Sequence, residues 1–409
     1  MAKDPNPSKR PISVEKHKAT ISALVGELPV LDLPLAECLG LVLAADLASP
    51  VFLPPFDNSA MDGYAVRAAD LRGASATTPV ELPVAGDIPA GRTDPVHLAE
   101  GTALRIMTGA PLPSGADGVI AVEQTDGGVS RVALFTEIRP GNHLRRRGED
   151  VVAGDVVLPA GSVLTPARLG LAAAVGSASL PVRRPRVLVL STGSELVEAG
   201  QPLATGQIYE SNGMLLASSV RAIGGVAEVL RFVPDDVGAF HAALAEKLPG
   251  ADLLITSGGV SAGAYEVVKD ALTGQGVEFL RVAMQPGGPQ GAGRYLGVAV
   301  ATLPGNPVSA ALSFELFLRP ALLAAMGHRE VERPSLTARL AKGVTTPVGR
   351  RQYRRADYDP ETGLVEVLGG PGSHLLASLA AANCLLVVPE DASELPDGAQ
   401  VTVLLLDEH

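Results

Sequence analysis

The chain has 409 residues, 46% of them hydrophobic, no Trp, and a net charge of -11. Such a length fits about three domains with a substantial core. The acidity excludes general nucleic-acid binding, which needs a basic face, so an anionic ligand must be met by a local cationic cluster. Cys38 and Cys384 lie far apart without metal-ligand spacing, which fits buried thiols in a reducing compartment. Met1 to Pro11 lacks the apolar stretch of a signal peptide, and no later run reads as a membrane span. A cytoplasmic location is the expectation.

In chain order, Val14 to Leu28 reads as an amphipathic helix with Ile21, Leu24, Val25 and Leu28 on one stripe. A second helix is expected over Leu35 to Leu43. From Val51 to Arg147, short apolar pieces broken by Pro and Gly predict a β-rich module. Within it, Phe56-Asp-Asn-Ser-Ala-Met-Asp-Gly-Tyr-Ala-Val-Arg67 brings Asp57 and Asp62 to one turn. Arg105-Ile-Met-Thr-Gly-Ala110 places the Thr108 hydroxyl before a glycine. The two acids read either as metal or hydroxyl ligands or as Asx-turns that satisfy local backbone. Leu144-Arg-Arg-Arg-Gly-Glu-Asp150 is either a solvated loop or an anion clamp. Asp155 to Leu164 alternates and turns like a hairpin, and Pro166 to Val175 reads as a helix with proline in its first turn.

From Pro185 strands alternate with helices. Strands are expected at 187–190, 227–232, 253–255, 277–282 and 297–303, and helices near 214–223, 239–247 and from the Pro304-Gly-Asn-Pro-Val-Ser309 turn to about Leu323. This is the pattern of an open parallel α/β sheet with its ligand at the carboxyl edge. The segment Ala251 to Lys269 passes from a buried-strand run through Ser257, Gly258, Gly259 and Ser261 into a helix carrying Glu266, Lys269 and Asp270. Glycine lets amides converge on one point, so the turn reads as an anion cradle or as a plain tight turn. Glu195, Asp235, Asp236 and Glu266 all fall on the same edge, a composition suited to a divalent metal. After Pro334 the texture returns to short strands, a small β module with Arg350, Arg351, Arg354, Arg355 and Gly372-Ser-His374.

Taken together, 56–67, 105–110, 145–150, 256–261 and 304–309 closely resemble the motifs of the molybdopterin molybdenumtransferase family, called MoeA in bacteria and matched by the E domain of gephyrin. The likeness spans roughly 14–401. It implies an elongated α/β and β multidomain homodimer. Segments 11–50 and 148–184 would form one domain, 51–147 an inserted β-rich domain, 185–328 the α/β domain and 329–409 a C-terminal β domain. The resemblance implies insertion of molybdenum from molybdate into adenylylated molybdopterin with release of AMP, assisted by Mg2+. It implies an adenylyltransferase partner and molybdoenzymes as possible clients, and neither nucleic acid nor membrane.

Position by position, the family's catalytic acids fall on Asp62, Asp150, Glu195, Asp235 or Asp236, and Glu266. Glu195, Asp235 and Glu266 would hold the metal. Asp62, Arg145, Arg146 and Arg147 would reach toward the pterin end in the partner subunit's cleft, Thr108 would bind substrate, and Ser257, Gly258, Gly259 and Ser261 would cradle the pyrophosphate. Pro304, Gly305, Asn306 and Pro307 would shape the cleft wall, and Arg355 with Ser373 would contact molybdate. Well-studied members read Lys-Pro-Gly-Lys-Pro where this chain has Gln285-Pro-Gly-Gly-Pro289. Each lost charge-assisted contact costs about 1.5 to 3 kcal/mol in anion binding, and Arg294, Arg350 or Arg351 are the candidates to replace them. The alternative reading is a non-catalytic molybdopterin-binding or scaffolding paralogue.

Overall fold

The computed structural model describes residues 10–232, 236–258 and 267–406. The chain folds into two compact units. One comprises the residues up to Ala44, Gly161–Thr165 and everything from Leu180; the other comprises Ala45–Ala160 with Pro166–Ser179.

In the first unit, α1 (Val14–Val25) begins where Ser13 Oγ accepts from the Lys16 amide at 3.1 Å. Val14, His17, Ile21 and Val25 recur at helical spacing and are buried. The helix stops short of the expected Leu28 because Gly26 turns to φ 65°. The helix expected over 35–43 is only a 3-10 turn, Leu35–Glu37. Beyond it Gly40 takes φ 78°, and the Leu43 amide bonds Ser162 O at 2.9 Å, so the segment runs extended.

The central strands are β1 (Arg186–Thr192), β2 (Val226–Phe232), β3 (Leu253–Ser257), β4 (Val277–Arg281), β6 (Pro289–Tyr295) and β7 (Val298–Leu303). They are ordered β2-β1-β3-β7-β6-β4, and the short β5 (Met284–Gln285) lies outside this sheet. β2, β1, β3 and β7 run parallel, whereas β6 and β4 are antiparallel additions. The expected parallel sheet is therefore its core, with an unanticipated hairpin-like edge. β6, Pro-Gln-Gly-Ala-Gly-Arg-Tyr, has little strand propensity. It forms because its glycines allow close approach: a Cβ on Gly293 would lie 2.0 Å from Gly276 O. Every residue of β3 is buried, as expected of a strand covered on both faces.

Against this sheet pack α2 (Asn212–Ala222), α3 (Val237–Lys247) and α4 (Val267–Leu272). Leu188, Leu190, Phe240, Leu244, Leu254, Val268 and Val300 form the apolar centre on one side. The long α5 (Pro307–Met326) has the length and apolarity of a membrane span, contrary to expectation, yet 78% of its 18-residue apolar window is buried. It is a core helix, and its middle, Phe314–Leu318, widens into a π turn.

The C-terminal strands β8 (Ser335–Leu340), β9 (Arg351–Asp359), β10 (Leu364–Val367), β11 (Cys384–Val388) and β12 (Gln400–Leu405) form the short-stranded module expected after Pro334. Pairing of β9 with β11 closes the order β9-β10-β8-β12-β11 into a ring. β5 joins this ring, not its own neighbours, pairing Met284 with Arg351 and Gln285 with Gln352. Cys38 and Cys384 are buried free thiols, and burial pushes the Cys384 thiol up to about 12.

The second unit is β-rich as expected. Its five-stranded sheet runs Gly118–Ala121, Gly63–Val66, Ala103–Ile106, Val80–Ile88 and Arg131–Leu134, over a core that includes Tyr64, Leu71, Ile120 and Leu134. The hairpin expected over 155–164 does not form. Val156–Leu158 instead pairs antiparallel with Leu47–Ala48, a partner far back in the sequence.

Candidate functional site

Where the α/β sheet meets the C-terminal ring, within the first unit, lies a cleft of about 720 Å³. One wall is the segment Arg281–Pro289; another is the Pro304-Gly305-Asn306 turn with Ser309 of α5; the far side is Gly349, Arg350 and Pro371-Gly372-Ser373. Its geometry follows from backbone ties. The Arg351 amide bonds Ala283 O at 3.0 Å, the Val308 amide bonds Ser373 O at 3.2 Å, and Ile12 runs beside Val282 as a bridge. Asn306 is the N-cap residue of α5, but its side chain makes no capping bond and is left for the cleft.

The charge of this cleft is its main chemical feature. Among the described residues lining it there are two guanidiniums, Arg281 and Arg350, and no acid, in a chain whose net charge is -11. The Gln285 Oε1 is buried there without a hydrogen-bond partner. Two cations, a serine hydroxyl and the N-terminal end of a long helix converge on one polar hollow, an arrangement that suits a multiply charged oxyanion.

Arg355 does not line the cleft. It is fully buried beneath the loop, donating Nη1 to Gly372 O at 3.1 Å and Nη2 to Gly370 O. Burial, then the neighbouring Arg354, lowers its pKa. Its position corrects the expectation of direct anion contact: it holds the loop that presents Ser373. The candidate substitutes for the missing lysines separate in the same way. Arg294 donates to Gly297 O and Leu24 O. Arg351 is held by Glu390, at 3.0 and 3.1 Å, and by Glu15. Arg350 alone of the three faces the cleft, joined by Arg281, which sequence reasoning did not single out.

At the carboxyl edge of the sheet, Ser257 and Gly258 end β3 beside the Pro304-Gly305 turn that follows β7. Gly258 has φ 97°, and a Cβ on it would sit 2.9 Å from Thr192 O; one on Gly305 would sit 3.3 Å from Gly258 Cα. Glycine is thus required for three strand ends to converge. Gly259, Ser261, Asp235 and Glu266 lie outside the described residues. Glu195 is exposed in the loop after β1, while Asp236 caps α3, accepting from the Ala239 amide at 2.6 Å. Among the described residues no three His, Cys, Asp or Glu side chains gather as a metal site.

In the second unit, Asp62 accepts from the Thr108 amide at 2.6 Å and from the Thr108 hydroxyl at 2.8 Å, which lowers its pKa. Two residues singled out separately by the resemblance are thus in direct contact. Asp57 accepts from the Arg147 amide at 2.8 Å and from Arg146 Nη1 at 2.7 Å, and these bonds, the Arg147 amide first, keep it well below the usual carboxylate range. The Arg147 guanidinium stacks over Phe52 at 3.9 Å. Arg145 pairs through its backbone with Asn58, and Asp150 is exposed. The triple arginine is neither wholly solvated nor wholly a clamp: Arg146 and Arg147 are engaged locally.

Comparison with known proteins places these features. The MoeA N-terminal region (domain I and II) matches residues 12–176, a probable molybdopterin binding domain matches 188–324, and the MoeA C-terminal region (domain IV) matches 337–406. Molybdopterin molybdenumtransferase 2 of Mycobacterium tuberculosis is 53% identical over 96% of this chain and 98% of its own. The Haemophilus influenzae molybdopterin molybdenumtransferase is 38% identical over 91% of this chain and 92% of its own. The crystal structure of a molybdopterin biosynthesis MoeA protein from Pyrococcus horikosii superposes with TM-score 0.76 at 32% identity, covering 98% of this chain and all of that one. The chain belongs to the MoeA family, the molybdopterin molybdenumtransferases of molybdenum cofactor biosynthesis.

Proposed function

We propose that the chain inserts molybdenum into adenylylated molybdopterin from molybdate and releases AMP, with the Arg281–Arg350–Ser373 cleft receiving the oxyanion. The observation that carries this reading is the acid-free, doubly cationic cleft in an acidic protein. Molybdate and the dithiolene sulfurs are both electron-rich and repel one another in water. Two guanidiniums facing the oxyanion lower that repulsion where it would be greatest. Insertion replaces an oxo ligand by the two thiol sulfurs, the displaced oxygen leaving as water with both thiol protons. The Ser373 hydroxyl and the Gln285 amide nitrogen are the groups of this lining that can donate hydrogen bonds to the remaining oxo groups.

The reading includes a homodimer in the cytoplasm and a magnesium ion that neutralises the pyrophosphate when bound. Glu195 is the acid of the described carboxyl edge left open for it. Asp236 is committed to its helix cap, so the described residues do not by themselves amount to a magnesium site.

Incubating the protein with adenylylated molybdopterin, magnesium and molybdate tests the proposal: molybdenum enters the pterin and AMP appears in equal amount. Tight pterin binding with neither product would instead make the chain a carrier.

A further inference from the structure

We propose that Glu210 and Asn212, which sequence reasoning passed over, are positioning residues that lace the three strand ends of the carboxyl edge together through the first turn of α2. The inference rests on the proposed function for its kinetic consequence and on geometry alone for its structural one.

Three strands, β1, β3 and β7, end side by side at Thr192, Ser257 and Leu303. Nothing in a parallel ladder fixes the loops that follow. α2 begins directly opposite these ends. Asn212, the first residue of the helix, is more than nine-tenths buried. Its Nδ2 donates to Ser257 Oγ at 2.7 Å and to Gly305 O at 2.7 Å. Because Gly305 O can only accept, the amide orientation is fixed with nitrogen toward both loops. The Asn212 Oδ1 has no partner, so what this residue contributes is its two N–H groups.

Two residues earlier, Glu210 Oε1 accepts from Ser191 Oγ at 2.8 Å and from the Gly213 amide at 2.6 Å. One carboxylate oxygen thus ties the end of β1 to the same helical turn. Burial of an unsatisfied amide is costly, so Asn212 at this position calls for an account. Holding Gly258 beside Gly305, where a Cβ on Gly305 would sit 3.3 Å from Gly258 Cα, supplies one. Neither residue itself lines the cleft; each acts through Ser191, Ser257 or Gly305.

A cap that merely stabilised α2 would change the melting temperature and nothing else. The test therefore compares Asn212→Ala, Glu210→Ala and Glu210→Gln in the full chain. It reads kcat and KM for molybdenum transfer, and hydrogen exchange at the Gly258 amide, which bonds Leu303 O at 3.3 Å. Loss of one or two positioning bonds lowers kcat/KM by about tenfold in both alanine variants and speeds Gly258 exchange, while Glu210→Gln, which keeps the accepting oxygen, stays within about twofold of wild type. Alanine variants with wild-type kcat/KM overturn the proposal. So does a Glu210→Gln as damaged as Glu210→Ala, because the negative charge would then be acting directly. Should Asn212→Ala fail to fold, the two Glu210 variants decide. Should the wild type not transfer molybdenum, the proposed function falls, and Gly258 exchange in Asn212→Ala still judges the lacing, unchanged exchange refuting it.

Discussion

Arg350 and Arg351 are sequence neighbours on opposite sides of a strand start, and alternation gives them different work. Arg351 is locked between Glu390 and Glu15, its pKa raised first by Glu390. Arg350 is exposed to the cleft. Removing the Arg350 charge deletes a charge-assisted contact to an oxyanion. Arg350→Gln is therefore expected to raise the molybdate concentration needed for half-maximal transfer by about ten- to a hundredfold, with the melting temperature unchanged. Arg351→Gln should do the reverse, lowering stability with little change in that requirement. Molybdate titrations and melting curves on the two variants check this, and identical behaviour of the pair would contradict it. The resemblance assigned the anion contact to Arg355, which is instead buried and bonded to the Gly370 and Gly372 carbonyls. Which arginine of a run is buried and which is open depends on the closure of the β9–β11 ring, which local spacing does not encode.

At the scale of elements, α1 is fastened to α5 through His17. The imidazole is buried, meets the Phe317 ring edge-on at 4.7 Å, and has no partner for Nδ1. Burial lowers its pKa to about 4. The unfolded chain takes up this proton near pH 6.5 and the native state only near pH 4. The neutral packed form is therefore fully favourable above pH 6.5, and its contribution is lost as pH falls from there to 4. Acid unfolding measured between these limits should show a loss on the order of 3 kcal/mol from this group, absent in His17→Leu. β3 shows a second dependence: Leu254 is fully buried, and Leu254→Ala should cost about 2–5 kcal/mol in denaturant unfolding. Elements with strong local periodicity, such as β3, α3 and β8, were legible in the sequence. β6 and the Val156–Leu158 strand were not, because their pairing comes from distant partners and glycine-permitted approach. The glycine turn at the end of β3 was legible from Ser257 and Gly258. Asn212 carried no signal, since one Asn at a helix start reads as an ordinary cap.

Over the whole molecule, acidity and function are reconciled by segregation. The net charge of -11 leaves the surface unattractive to polyanions, while one hollow excludes acids altogether among the described residues. The ring and the α/β sheet make that hollow jointly, through β5 and the loop that Arg355 supports, so neither piece alone would bind. The position of tungsten in crystals soaked with tungstate, located by its anomalous scattering, tests this most directly. The account predicts a peak in the cleft within hydrogen-bond reach of Arg350 and Ser373. A well-occupied peak elsewhere, with that cleft empty, would contradict it.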